Sequence, residues 1–324
     1  MKAVICKQLG GPELLRLEEV PDPKPGAREV RIAVAGAGVN FPDVLIIQGK
    51  YQLRAEPPFI PGAEVAGRVL EVGSEVKRLK VGDSVAALVN VGGFAEQVCA
   101  ADSNCLPVPA GIDLVALGAF PLVYGTTYHA LKQRGQLKAG ETLLVLGASG
   151  GVGLSAVQLG KRMGARVIAA ASSAEKLALC QAQGADALID YSKESLKDAV
   201  KQLTQGQGAD VIYDPVGGAL GEECLSCIAW NGRYLVIGFA SGPIPNLAAN
   251  RLLLKGASAV GVFWGAFTQR EPKLNAENFA QLFAWLADGS LKPYLSKRYA
   301  LHEAPQALQD MMARKVSGKV VIAP

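Results

Sequence analysis

Residues 142–153 read TLLVLGASGGVG. Thr142 to Leu146 is a short apolar run with a β-branched residue, the pattern of a strand covered on both faces. Gly147, Gly150, Gly151 and Gly153 follow, and Val152 to Met163 has helical spacing with Gly164 as its stop. A diphosphate approaches backbone N–H groups only where no Cβ intrudes, and the first turn of a helix offers unpaired donors and a partial positive charge. A glycine-rich turn alone is a weak signal. The strand before it and the helix after it are what point to a dinucleotide site. Ser149, Gly150, Gly151 and Val152 are the expected phosphate contacts.

Around this unit, residues 123–267 alternate strand-like and helical runs. Arg166 to Ser172, Ala187 to Tyr191, Asp210 to Asp214, Arg233 to Phe239 and Ser258 to Trp264 read as strands. Ala174 to Gln183, Lys193 to Thr204 and Gly218 to Ile228 read as helices. Such alternation implies an α/β doubly wound parallel sheet, with ligands at the carboxyl ends of its strands. That places contacts at Ser172, Tyr191, Val216 (within Pro215 to Gly217), Gly238, Phe239 and Ala240.

Residues 1–122 read instead as short strands between turns: Val30 to Val34, Val65 to Val72, Ser84 to Val89 and Ala95 to Ala100, with one short helix at Asn40 to Ile47. Their spacing suggests a small, strongly curved β domain. Residues 268–324 carry helices near Asn278 to Ala287 and Ala304 to Ala313 and a last strand, Lys319 to Ile322. This stretch is too short for a third domain, so 268–324 is expected to rejoin 1–122, with 123–267 inserted between them.

Composition narrows the class. The chain has 324 residues, half of them hydrophobic and 19% charged, which suits two packed domains rather than a disordered chain. A net charge of +4 without a basic stripe argues against a nucleic-acid partner. No signal peptide and no membrane span are expected. The six cysteines are scattered among apolar neighbours and read as reduced cytosolic thiols.

Several motifs carry a family resemblance: GVNFPDVLIIQGKY (38–51), PFIPGAEVAG (58–67), VGSEVKRLKVGD (72–83), YGTTYHAL (124–131), GASGGVG (147–153), DPVGG (214–218) and GVFWG (261–265). Over essentially its whole length the chain resembles the zinc-independent medium-chain dehydrogenase/reductases, most closely the NADPH:quinone oxidoreductases. The resemblance implies a GroES-like catalytic β domain, a Rossmann NADP-binding domain, a cleft between them and a homodimer.

No metal is expected. Where the zinc alcohol dehydrogenases carry a Cys and a His, this chain has Asn40 and Ala63, and its only histidines are His129 and His302. Cys224 and Cys227 form one CxxC, read as packing. Glu64 is the one retained member of that motif, read as a structural hydrogen-bonding residue.

The second strand of the inserted domain ends Ala171, Ser172, Ser173, without the carboxylate that an NAD ribose requires. Small hydroxyls leave room for a 2′-phosphate, and Lys176 can neutralise it. The resemblance implies that Ser172, Lys176, Tyr191 and Arg314 grip that phosphate, so the expected cofactor is NADP(H). It also places Asn40, Tyr51 and Thr127 (or Thr126) at the nicotinamide and substrate, and Val262, Phe263 and Trp264 at the carboxamide. Asn40 and Tyr51 are the expected catalytic residues, Asn40 also touching cofactor.

The expected reaction is hydride transfer from NADPH to a quinone or similar electron-poor acceptor. Two alternatives stand beside it. One is reduction of a 2-alkenal or enoyl-CoA double bond, for which Arg54 or Arg251 could meet a CoA phosphate. The other is a non-enzymatic, crystallin-like or RNA-binding use of the fold. Ser258 to Trp264, as an apolar edge strand, invites pairing with a second copy.

Overall fold

In the computed structural model, which describes all 324 residues, Thr142–Val145 lies in the middle of a six-stranded sheet. The strand order is Ala187–Asp190, Arg166–Ala171, Thr142–Val145, Ala209–Asp214, Ile228–Val236, Ser258–Gly261, and every neighbouring pair is parallel. The chain runs outward one way through its first three strands, then restarts beside the first and runs the other way. The order therefore reverses between Thr142–Val145 and Ala209–Asp214, which opens a crevice at their carboxyl ends. Leu144, Leu146, Ile168, Ile189, Ile212 and Tyr234 fill the core of this sheet. Each such side chain contributes roughly 1.5–3 kcal/mol by leaving water.

Two strands differ from expectation. The fifth begins at Ile228 rather than Arg233, because the helix before it stops at Cys224 and the chain bulges through Asn231, whose φ is +58°. The sixth ends at Gly261, because Trp264 opens a new helix, Trp264–Arg270, and buries its indole with Nε1 donating to Asn275 Oδ1 at 3.2 Å.

The β-rich unit carries a seven-stranded sheet. Its main path runs Leu295–Ala300, Lys319–Ala323, Glu29–Gly38, Glu64–Val72, Ser84–Leu88, Cys105–Pro107, and Gln97–Ala101 also pairs with Glu29–Gly38. Val30, Ile32, Val65, Val85, Phe94, Val320 and Ile322 form its core. The last strand is thus internal to the sheet, parallel to Leu295–Ala300 and antiparallel to Glu29–Gly38.

The two compact units are Met1–Leu122 with Phe279–Pro324, and Val123–Asn278. The return to the first unit therefore falls at 278/279 rather than at 268. It lies inside one continuous helix, Pro272–Ala287. Asn278 is bonded to Gln133 and Lys132 of the second unit, whereas Phe279 and Phe283 are buried in the first, Phe283 stacking on Phe120. A helix that serves two cores shows no break in composition. No helix is long and apolar enough to cross a membrane.

Candidate active site

Helix Gly151–Arg162 follows the glycine turn directly and begins at Gly150 without a side-chain cap, so no side chain satisfies its first-turn N–H groups. Gly153 is obligatory: a Cβ there would lie 2.2 Å from the Gly147 carbonyl oxygen and 2.8 Å from Ala148 Cα. Val216 and Gly217 form the neighbouring loop. Their N–H groups donate to Asp214 Oδ1 at 2.7 and 2.9 Å, and the buried Tyr234 hydroxyl donates to Oδ2 of the same carboxylate. Ala240 N donates to Pro215 O at 3.0 Å and Gly238 N to Asp214 O, which lays the Gly238–Ala240 loop along this one. Val262 N donates to Val236 O, so Val262 continues the sheet edge, with Phe263 exposed after it.

Ser172, Lys176 and Tyr191 come together as expected. Lys176 Nζ reaches Ser172 Oγ at 3.5 Å from the first turn of helix Ala174–Ala182, and Tyr191 N donates to Ala171 O at 3.2 Å. Arg314 belongs to the other unit, where it follows helix Ala304–Met312 at a φ of +56°.

Thr127 requires a correction. Its side chain is fully buried, and its hydroxyl lies 2.7 Å from Ser155 Oγ and 2.9 Å from Tyr213 Oη, which leaves it no face for a cofactor. Ser155 donates in turn to Val152 O at 2.9 Å. The three hydroxyls tie the glycine turn to the strand and helix beneath it, so Thr127 acts on the site by fixing the turn.

In the β-rich unit, Asn40 is the N-cap of helix Phe41–Ile47, with its backbone N–H donating to Asp43 Oδ2 at 2.7 Å. Its side chain donates from Nδ2 to Glu64 Oε1 at 2.8 Å and accepts from Lys319 Nζ at 2.6 Å. Glu64 also accepts from Lys319 at 3.2 Å and, through Oε2, from Leu122 N at 2.8 Å. The sheet register explains the gathering. Ala37 pairs with Val65 on one side and Gly38 with Val321 on the other, so the ends of three strands bring residues 39–40, 64 and 319 together. Gly38 makes the room, since a Cβ there would sit 2.2 Å from Glu64 Oε1.

Burial holds the Asp43 carboxyl up at about 7, and its Oδ1 has no hydrogen-bond partner. Tyr51, half-buried, has its hydroxyl pKa raised by burial first and by the Asp43 charge second. Asn40 and Tyr51 therefore flank one acidic group. Asn40 and Tyr51 are expected from the resemblance and Glu64 from its hydrogen-bonding role; Asp43 and Lys319 join them only in the folded chain. Their local signals are the Asn-x-x-Asp capping box and a lysine opening the apolar strand Lys319–Ala323.

His129, the Cys224–Cys227 pair and Arg251 are each held by contacts within the fold. His129 stacks on Phe267 at 3.8 Å between ring centres, and burial pulls its pKa down. Cys227 Sγ donates to Cys224 O at 3.3 Å, and burial raises the Cys224 thiol well above its ordinary range, so both pack as thiols. Arg251 is engaged by Ser226 Oγ at 2.7 Å and Glu222 O at 3.2 Å.

A sheet of this order with a glycine turn at the switch of strand order is the architecture of a dinucleotide-binding domain, here inserted into a β-rich unit. The sequence matches the family profiles "Alcohol dehydrogenase GroES-like domain" over residues 26–110 and "Zinc-binding dehydrogenase" over residues 151–286. It is 42% identical over 324 residues to "Quinone oxidoreductase-like protein 2 homolog" of Nematostella vectensis, covering 99% of this chain and 88% of that one. To "Quinone oxidoreductase" of Pseudomonas aeruginosa it is 37% identical, covering 97% of each. The solved quinone oxidoreductase of Thermus thermophilus, described with its NADPH complex, superposes with a TM-score of 0.86 at 38% identity, covering all of both chains. The chain belongs to the medium-chain dehydrogenase/reductases, in the group of the quinone oxidoreductases.

The zinc in one profile's description does not fit these residues. Asn40 and Ala63 offer neither thiolate nor imidazole, and Glu64 is already neutralised by a buried ammonium. No group of three or more His, Cys, Asp or Glu side chains is arranged to hold a metal ion.

Proposed function

We propose that this chain is an NADPH-dependent oxidoreductase that delivers hydride to a quinone or a similar electron-poor acceptor without a metal ion. The observation that carries the cofactor choice is the Ser172–Lys176 pair at the end of Arg166–Ala171, where an NAD site would place a carboxylate. When bound, the nicotinamide supplies the hydride; the protein's part is binding, orientation and polarity.

The first turn of Gly151–Arg162 binds the diphosphate through backbone N–H groups. Ser172, Lys176, Tyr191 and Arg314 meet the 2′-phosphate. Ser149, Gly150, Gly151, Val152, Val216 and the Gly238–Ala240 loop line the rest of the cofactor, with Val262, Phe263 and Trp264 at its carboxamide. Asn40 and Tyr51 face the reacting end. Tyr51 holds its proton at neutral pH, since burial and Asp43 both raise its pKa, and it can donate to the reduced acceptor. A quinone needs little more, because its ring spreads the charge that hydride brings.

A homodimer joined through the edge strand Ser258–Gly261 accompanies this reading. It is supported by the exposed strand and by Leu253 and Leu254, which are 79% and 73% exposed in the helix before it. Sedimentation at micromolar concentration should give twice the chain mass. A cytosolic location fits six free cysteines.

The activity is tested by following NADPH oxidation with 1,4-benzoquinone, an enone and crotonyl-CoA in parallel. The quinone should be reduced fastest. Turnover with none of the three would overturn the proposal, and a preference for crotonyl-CoA would move it to the double-bond reductases.

A further inference from the structure

Lys319 is 6% exposed, yet its Nζ is saturated: Asn40 Oδ1 lies at 2.6 Å, Val39 O at 2.8 Å and Glu64 Oε1 at 3.2 Å. An ammonium has three donors and no acceptor. All three point at oxygens, one from a backbone carbonyl, one from an amide and one from a carboxylate. That oxygen set would cradle a small hard cation, and the lysine fills it from within the chain.

The consequence falls on Asn40. A carboxamide has two ends of nearly equal size, and only its neighbours decide which end is oxygen. Here the neighbours leave no choice. Lys319 can only donate, so it takes Oδ1; the Glu64 carboxylate accepts, so it takes Nδ2 at 2.8 Å. Glu64 is itself fixed from its other oxygen by Leu122 N at 2.8 Å. All three side chains are nearly or fully buried, so water cannot substitute for a missing partner.

We propose that Lys319 is the positioning residue of the reacting centre: its ammonium sets the orientation of the Asn40 amide and supplies the buried counter-charge of Glu64. This rests on the assignment of Asn40 to the reacting centre. Lys319 acts through Asn40, its Nζ being taken up by three protein oxygens.

The test compares Lys319→Met, Lys319→Arg, Asn40→Ala and the double variant Asn40→Ala/Lys319→Met, with NADPH and 1,4-benzoquinone as probes. Lys319→Met should lower kcat tenfold or more while the KM for NADPH changes less than threefold. Lys319→Arg, which keeps the charge, should recover at least a third of the rate. Adding Asn40→Ala to Lys319→Met should cost less than a further twofold, because the amide is already unoriented. A Lys319→Met enzyme with the wild-type kcat, or losses that multiply in the double variant, overturns the proposal.

If Lys319→Met does not fold, the charge-neutral pair Glu64→Gln/Lys319→Met should, and it should still have the low kcat; a wild-type rate in that pair overturns the proposal. If the wild type oxidises NADPH with no quinone, the functional assignment fails by itself. The coupling is then read from Tm alone: the double variant Asn40→Ala/Lys319→Met should lose no more than the worse single variant, and additive losses would sink the positioning role.

Discussion

The molecule builds its two chemical regions in opposite ways. The glycine turn is contiguous: a strand, four glycines and a helix start within residues 142–153, and its geometry is backbone. The acidic cluster is assembled from residues 40, 43, 64 and 319, and its geometry is side-chain charge and hydrogen bonding. The first region should fail by steric change with little sensitivity to charge. The second should fail by loss of one charge with little sensitivity to volume.

The largest effect is expected in the second region. Glu64→Ala strands a buried ammonium, which costs about 3–5 kcal/mol; the shift in urea midpoint should be of that size, and a shift near zero would mean that the pair is not buried in solution. Next comes Gly153→Ala. The added Cβ collides with backbone on two sides, so the turn must move, at a cost of about 1–3 kcal/mol. Here affinity should report more than stability: NADPH binding by titration calorimetry should weaken a hundredfold or more. Lys176→Ala keeps the turn and removes one countercharge. About a tenfold rise in KM for NADPH is expected, the equivalent of about 1.4 kcal/mol, against no change for NADH; equal effects on both would remove the 2′-phosphate from the site.

A last effect separates the regions by pH. The Asp43 pKa is held at about 7, above the ordinary carboxylate range, with burial as the main cause. From about pH 4 to 7 the folded chain therefore binds more protons than the unfolded one. This contribution to stability is complete below about pH 4, and it is lost as pH rises toward 7. Asp43→Asn should flatten the decline of Tm between pH 5 and 8, whereas Gly153→Ala should leave its slope unchanged.

The same contrast decides what the sequence reveals. The turn, the alternation of the parallel sheet and the pair Ser172–Lys176 could be read because their determinants are neighbours in the chain. Asn40 and Tyr51 could be named only through a family resemblance. Lys319 shows locally only as a lysine at the start of an apolar strand; its role is not legible there, since its partners lie 255 and 279 positions away and only the register of three strands joins them. Thr127 is also named only through that resemblance, and only the packing of Tyr213 and Ser155 around it shows that its hydroxyl is engaged within the fold.

The internal place of the last strand has a consequence during synthesis. Glu64 leaves the ribosome 255 residues ahead of the lysine that neutralises it. At ~5–20 residues per second that is a wait of roughly 13–50 s. Until then only the Ala37–Gly38 end of the strand Glu29–Gly38 lacks its neighbour, because Gln97–Ala101 already pairs with Glu29–Ala33 on the same edge, and a carboxylate destined for the interior must stay hydrated. The nucleotide-binding unit, encoded entirely within that interval, can therefore finish folding while its host is still open.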